Sequence, residues 1–307
     1  MIIKKTGNLR MKIIDSHIHL YDNHEISHSH LNSIDPLFSQ ILGDYASLPH
    51  RYLFEDYQSA TNHFVSGIVW HEFVSDQPHD EIDWAAKHLA VIDKPYAMVA
   101  KIDFSDPSFD AELEFLSQYG RVTAIRQHMA YHPTDPLKRF TNESCHYDNQ
   151  SWHKNLSKIS NLSYKCGLEI FSSQLQDTIA VIKNHSNIQF TIALMGWPYS
   201  TDSECFTQWR RQLKELNALD NICLQFSALE SIFGMDWNNL TVKPWIDAAI
   251  TSVGIERCMF GSHSPICNLS SNFMQQLDSY EIILKGLSEN EKNLFFYDVA
   301  KKWFQVK

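Results

Sequence analysis

Lys12-Ile13-Ile14-Asp15-Ser16-His17-Ile18-His19 is a short β-branched run that breaks into polar residues. The same shape returns at residues 67–70, 96–102, 122–126, 167–171, 188–194, 221–226 and 257–260. Between these runs, residues 82–92, 109–119, 152–166, 175–185, 206–219 and 242–254 carry apolar side chains at three- and four-residue intervals, the period of a helix with one buried face. Strand and helix alternating eight times within 307 residues predicts a single-domain α/β protein, a (β/α)8 barrel. An open doubly wound sheet would alternate too, but no GxGxxG or GxxxxGK[ST] follows an early strand. Residues 22–57 are expected to form an inserted loop with one short helix, a lid over the barrel mouth, and 279–306 one or two closing helices. Residues 1–10 read as a loose tail before a barrel spanning 11–307, with Met11 a candidate start beside Met1.

Composition narrows the function. Lys and Arg total 26 against 36 Asp and Glu, a net charge of −10, so the clustered positive surface of a nucleic-acid or anionic-membrane binder is not expected. No apolar run approaches the ~20 residues that span a bilayer. The opening Met1-Ile2-Ile3-Lys4-Lys5 lacks the apolar core of a signal peptide. Six cysteines without a CxxC read as reduced thiols of a cytoplasmic protein. The expected partner is therefore a small molecule, neither nucleic acid nor membrane, and a homo-oligomer is left open.

Histidine carries the chemistry. His17 and His19, at i and i+2 on the end of a strand, project from one face and can converge on one ion at a barrel mouth. Imidazole suits Zn²⁺ and similar divalent metals. Asp15 beside them can order the loop or stand behind the ligands. A second signal is Arg257-Cys258-Met259-Phe260-Gly261-Ser262-His263-Ser264-Pro265, a strand running into a tight turn that puts His263 on the same rim.

With these residues in view the chain resembles the amidohydrolase-related family of metal-dependent (β/α)8 hydrolases, in its branch of sugar lactonases and dicarboxylic-lactone hydrolases. The family's opening I-D-x-H-x-H is matched by Ile14 to His19, and its strand-four G-[IV]-R by Ala124-Ile125-Arg126. Its strand-six D-H-x-G-x-P falls on Ala193-Leu194-Met195-Gly196-Trp197-Pro198, and its strand-seven K-x-S-G-L on Gln225-Phe226-Ser227-Ala228-Leu229. Its closing R-x-[ML]-[FY]-G-S-D-W-P falls on Arg257 to Pro265. The departures concern chemistry. Leu194 stands where the family has a ligating or substrate-binding His, Gln225 where it has Lys, and His263 where it has the Asp that binds metal and acts as base.

Three readings of the site stay open. His17, His19 and His263 form a three-imidazole set for zinc or another divalent ion. Alternatively no ion is held, because the Leu194 and His263 positions have lost the family's ligands, and His263 takes a proton from water while His17 or His19 polarises the carbonyl. In the third, catalysis is lost and a barrel for binding or assembly remains. A metal-dependent decarboxylase is a further alternative. The favoured expectation is a hydrolase of a small lactone or related ester or amide carbonyl, anionic or sugar-acid-like, with His263 catalytic. For substrate binding the candidates are Arg126 as a fork for an anionic group, His128, Trp197 as a stacking wall, and Glu72 as a carboxylate standing in for the missing Asp.

Overall fold

The computed structural model describes residues 12–143 and 146–307. The expected tail of residues 1–10, the choice between Met1 and Met11, and Cys145 lie outside the described residues. Eight parallel strands follow one another around a sheet in sequence order. They are β1 (Ile13–Ile18), β2 (Val65–His71), β3 (Tyr96–Lys101) and β4 (Val122–His128). The remainder are β5 (Lys165–Glu169), β6 (Phe190–Ile192), β7 (Ile222–Phe226) and β8 (Cys258–Phe260). All eight apolar runs thus became barrel strands. The seam between first and last closes just past β8: Ile18 bridges Ser264, the His263 N–H donates to the His17 carbonyl at 2.8 Å, and the His19 N–H donates to the Ser264 carbonyl at 2.8 Å. This is a single-domain (β/α)8 barrel.

Two kinds of packing hold it. Outward strand residues such as Ile13, Ile68 and Ile125 join the large core beneath the surrounding helices. Inward residues Ile14, Val69, Ala97, Val99, Ala124, Cys223 and Met259 form a second cluster with Val299, Ala300, Phe304 and Val306 of the C-terminal segment. That segment lies under the N-terminal ends of the strands, where the Tyr96 N–H and the Arg121 side chain both donate to the Lys307 carbonyl. Phe304 of this segment enters the barrel from below, 6.3 Å from the His71 ring.

The helices begin where their sequences supply caps. Asn149, Asp202, Asn238 and Asn272 each accept from backbone N–H groups of the first turn. One expectation overran: the helix placed over 152–166 is Gln150–Ile159, and β5 already begins at Lys165. Ser160, Asn161 and Ser163 end it, since short polar side chains compete for backbone groups and favour turns. The 22–57 insertion holds more structure than one short helix. Strands Tyr21–Asp22 and Arg51–Tyr52 pair antiparallel and frame helices Ser29–Asn32 and Pro36–Leu42.

Gly261 sets how tightly the seam closes. A Cβ there would lie 2.8 Å from the His17 Cβ and 3.1 Å from the His17 nitrogen. Gly261→Ala is expected to cost about 1–3 kcal/mol through overpacking, read as a lower urea midpoint at unchanged slope. A midpoint within experimental error of wild type would show that the seam yields freely.

Candidate metal centre and active site

The strand ends deliver the site. Successive side chains of a strand alternate faces, so residues two apart climb the barrel wall together. Ala124 and Arg126 climb β4 this way, as Cys223 and Gln225 climb β7 with Ser227 just beyond it. In β1 the pairing register shifts between Asp15 and Ile18, and His17 and His19 come to face the mouth. Asp15 ties this bend to the seam. Its carboxylate accepts from the Ser262 N–H at 2.7 Å, the Tyr57 hydroxyl at 2.8 Å and the His17 N–H at 3.3 Å. Burial pushes its pKa up to about 6 despite these donors.

His17, His19 and His263 converge. One ring nitrogen of each lies within 4.8 Å of the other two, and the ring centroids are 4.9–5.4 Å apart. Every Nδ1 is occupied from behind: His17 by the Ser227 hydroxyl at 2.9 Å, His19 by the His71 carbonyl at 3.1 Å, and His263 by the Glu230 carboxylate at 2.5 Å. The His17 Nε2 is buried with no hydrogen-bond partner among the described residues. Burial first, then neighbouring charges including the other imidazoles, holds His17 and His19 well below 6.5. Both rings are therefore neutral near pH 7, the form that ligates metal. Three imidazoles fixed at Nδ1 and offering Nε2 are the donor set of a catalytic divalent-metal site, so these residues fit such an ion.

Beside this trio sits a closed charge network. Arg126 donates from Nε to Glu72 Oε1 at 2.9 Å and from Nη2 to the Glu72 carbonyl at 2.8 Å, with Nη1 3.6 Å from Glu169 Oε2. His128 spans the same two carboxylates, Nε2 to Glu72 at 2.8 Å and Nδ1 to Glu169 at 3.1 Å. Burial alone would drive His128 toward neutrality, but Glu169 and Glu72 outweigh it and raise its pKa. Burial likewise opposes ionisation of the two carboxylates. Arg126 and then His128 overcome this at Glu72, and His128 and then Arg126 at Glu169, so both are held below their ordinary value. Gly167 makes room, since a Cβ there would lie 2.8 Å from the Arg126 Cβ.

The expected residues thus fall into two groups. His17, His19, Arg126, His128, Trp197 and His263 all line one pocket. Glu72 lies behind its wall, engaged with Arg126 and His128 rather than turned toward the imidazole trio. Arg126 reaches the pocket with much of its fork already filled by Glu72. Leu194 also lines it, on a left-handed backbone (φ 50°) that continues through Met195 (φ 54°) and carries Trp197 inward. Trp209 Nε1 donates to the Met195 carbonyl at 2.9 Å and holds this turn. Gln225 faces down instead, donating to the Ser16 carbonyl at 2.7 Å. His132 braces its own loop, donating from Nε2 to the Tyr199 carbonyl at 3.0 Å and accepting at Nδ1 from the Asp135 N–H at 2.9 Å. Three partners escaped the sequence reading: Ser227, Glu230 and Glu169. Each stands at or just beyond a strand's C-terminal end, the one signal that could have raised them.

Comparison with known proteins agrees with this architecture. A family model described as Amidohydrolase matches residues 14–306. An uncharacterised Sinorhizobium fredii protein, y4mH, is 26% identical over 300 residues, covering 96% of this chain and 98% of that one. L-fucono-1,5-lactonase of Burkholderia multivorans is 25% identical over 137 residues, 41% of this chain and 46% of the lactonase. The crystal structure of a Burkholderia multivorans amidohydrolase with bound zinc superimposes with a TM-score of 0.78 at 17% identity, covering 96% of this chain and 99% of the other. With the family model running from β1 to the C-terminal segment, over an eight-stranded barrel whose rim carries the HxH pair, the chain belongs to the amidohydrolase family.

Proposed function

We propose that the protein is a metal-dependent hydrolase that opens a small lactone or a related ester or amide carbonyl. The observation that carries this reading is the arrangement of the three imidazoles, each fixed at Nδ1 with Nε2 left available. His17, His19 and His263 would hold a divalent ion, zinc being well suited to neutral imidazole. Such an ion supplies electrophilic polarisation of a carbonyl and acidifies water at its open position.

The chain's own residues do the rest. Ser227 and the His71 carbonyl fix the orientation of His17 and His19. Glu230 fixes the tautomer of His263, which carries its proton at Nδ1 and presents a lone pair at Nε2, to the ion or to a proton of the attacking water. Glu230 also returns, one residue further back, the negative charge that the family's strand-eight Asp would have placed at the rim. The insertion contributes Phe38, Ile41 and Leu42 to the pocket lining, apolar side chains that would limit access of bulk water.

Zinc-supplemented protein tested against a panel of five- and six-membered lactones is expected to release one proton per ring opened. His263→Ala should lower kcat at least about 100-fold. Metal analysis of the same variant assigns the role: metal lost with activity makes His263 a ligand, and metal retained makes it the base. No turnover by metal-loaded protein supports the binding barrel instead, and CO₂ released from a carboxylated substrate supports the decarboxylase.

A further inference from the structure

The charges around the pocket cancel. Two cationic groups, Arg126 and His128, face two carboxylates, Glu72 and Glu169; Arg126 and both carboxylates are buried, His128 is partly so, and the four are mutually paired. Among the described residues, no lysine and no second arginine lines the pocket. A substrate carboxylate brought to Arg126 would find its fork engaged and the Glu169 carboxylate, itself a lining residue, close by. Displacing Glu72 from Arg126 would leave a buried charge without its partner, which is costly.

Apart from Ser231, the remaining lining residues are apolar or aromatic. Phe38 and Ile41 come from the insertion, Phe140 from the loop after β4, Leu194 and Trp197 from the turn after β6, and Ile266 from the turn after β8. Phe140 sits between Phe38 and Trp197, with ring centroids 6.4 Å and 5.9 Å away, so the three make a continuous aromatic wall above the imidazoles. A polyhydroxylated ring set against that wall would lose water from its hydroxyls and find few donors or acceptors in return, which is costly. An alkyl or aryl group gains instead, by the area it removes from water. Leu194 belongs to this wall at the position where the resemblance called for an imidazole.

Resting on the hydrolase reading, we infer that the substrate is neutral and hydrophobic: a lactone or ester bearing an alkyl or aryl substituent, not a sugar acid or a dicarboxylate. The polar end is the carbonyl directed at the imidazole trio, and the apolar end lies along Phe38, Phe140 and Trp197.

The test pairs calorimetric binding with turnover. A phenyl-substituted δ-lactone and a carboxylated δ-lactone of similar size are compared on zinc-supplemented protein. The phenyl lactone is expected to be preferred at least about tenfold in both Kd and kcat/KM. Phe140→Ala should shrink that ratio severalfold, and Phe38→Ala on the insertion gives the same reading should the first variant misfold. Equal or tighter binding of the carboxylated lactone, or a ratio unmoved by both variants, overturns the inference. Turnover that favours the carboxylated lactone removes this substrate class and keeps the hydrolase. Selective binding of the phenyl lactone without any turnover does the reverse. Absence of both sinks both.

Discussion

Zinc-supplemented wild-type protein is expected to carry about one equivalent of metal, and His17→Ala or His19→Ala less than about a tenth, with turnover at least ~100-fold lower. The reason lies in what folding has already done to these rings. Both are buried, both are held neutral, and both have Nδ1 satisfied, so among the described residues Nε2 has no competing role. An ion binding the folded state alone stabilises it by about 4 kcal/mol when free metal is a thousand times Kd. The wild type should therefore melt higher with metal than without, and both variants should melt alike in the two conditions. A metal-dependent rise in Tm retained by both variants would put the ion elsewhere and remove these histidines from the proposal.

Arg126→Met should cost about 3–5 kcal/mol of stability, because it leaves the buried carboxylates of Glu72 and Glu169 facing one another with only His128 between them. Chemical denaturation at pH 6 reads the loss directly. The doubly substituted Arg126→Met, Glu72→Met chain should recover part of it, since one unpaired charge leaves with the second change. A single-variant loss under about 1 kcal/mol would show that the network contributes little to folding. The pH dependence has a definite sign. Glu72 and Glu169 have folded values below 4.5, so their contribution is present above 4.5 and disappears as pH falls through those lower values. His128 has a folded value above 6.5, so its contribution is present below 6.5 and disappears as pH rises through the higher value. The network is thus most stabilising between about 4.5 and 6.5.

The barrel was legible because eight strands buried on both faces must each be short apolar runs, and no polar residue is needed to define them. The HxH pair and His263 were legible because both end such runs. Glu72 and Arg126 could be found as rim residues, but not as partners of one another. Their pairing depends on the geometry that brings β2, β4 and β5 together, and no spacing along the chain encodes it. Glu230 was hidden for a similar reason. It sits three residues beyond Ser227, in a short helix whose sequence, Leu229–Phe233, reads as ordinary amphipathic surface. The helix that overran toward Lys165 shows the opposite failure. Its apolar period continues past Ile159, and only the serines and asparagine at its end argue for stopping.

The site straddles the closure of the barrel, with His17 and His19 on the first strand and His263 just past the last. On the proposed ligand set, a cation shared by the three would act as a clasp joining the two ends of the circle, fastening residues that nearly the whole polypeptide separates. Crosslinks spanning long loops remove the most freedom from the unfolded chain. Losing the metal would then do more than stop turnover: it would let the staves part where they meet, and amide hydrogens of β1 would exchange with solvent ahead of those in strands on the far side of the cask.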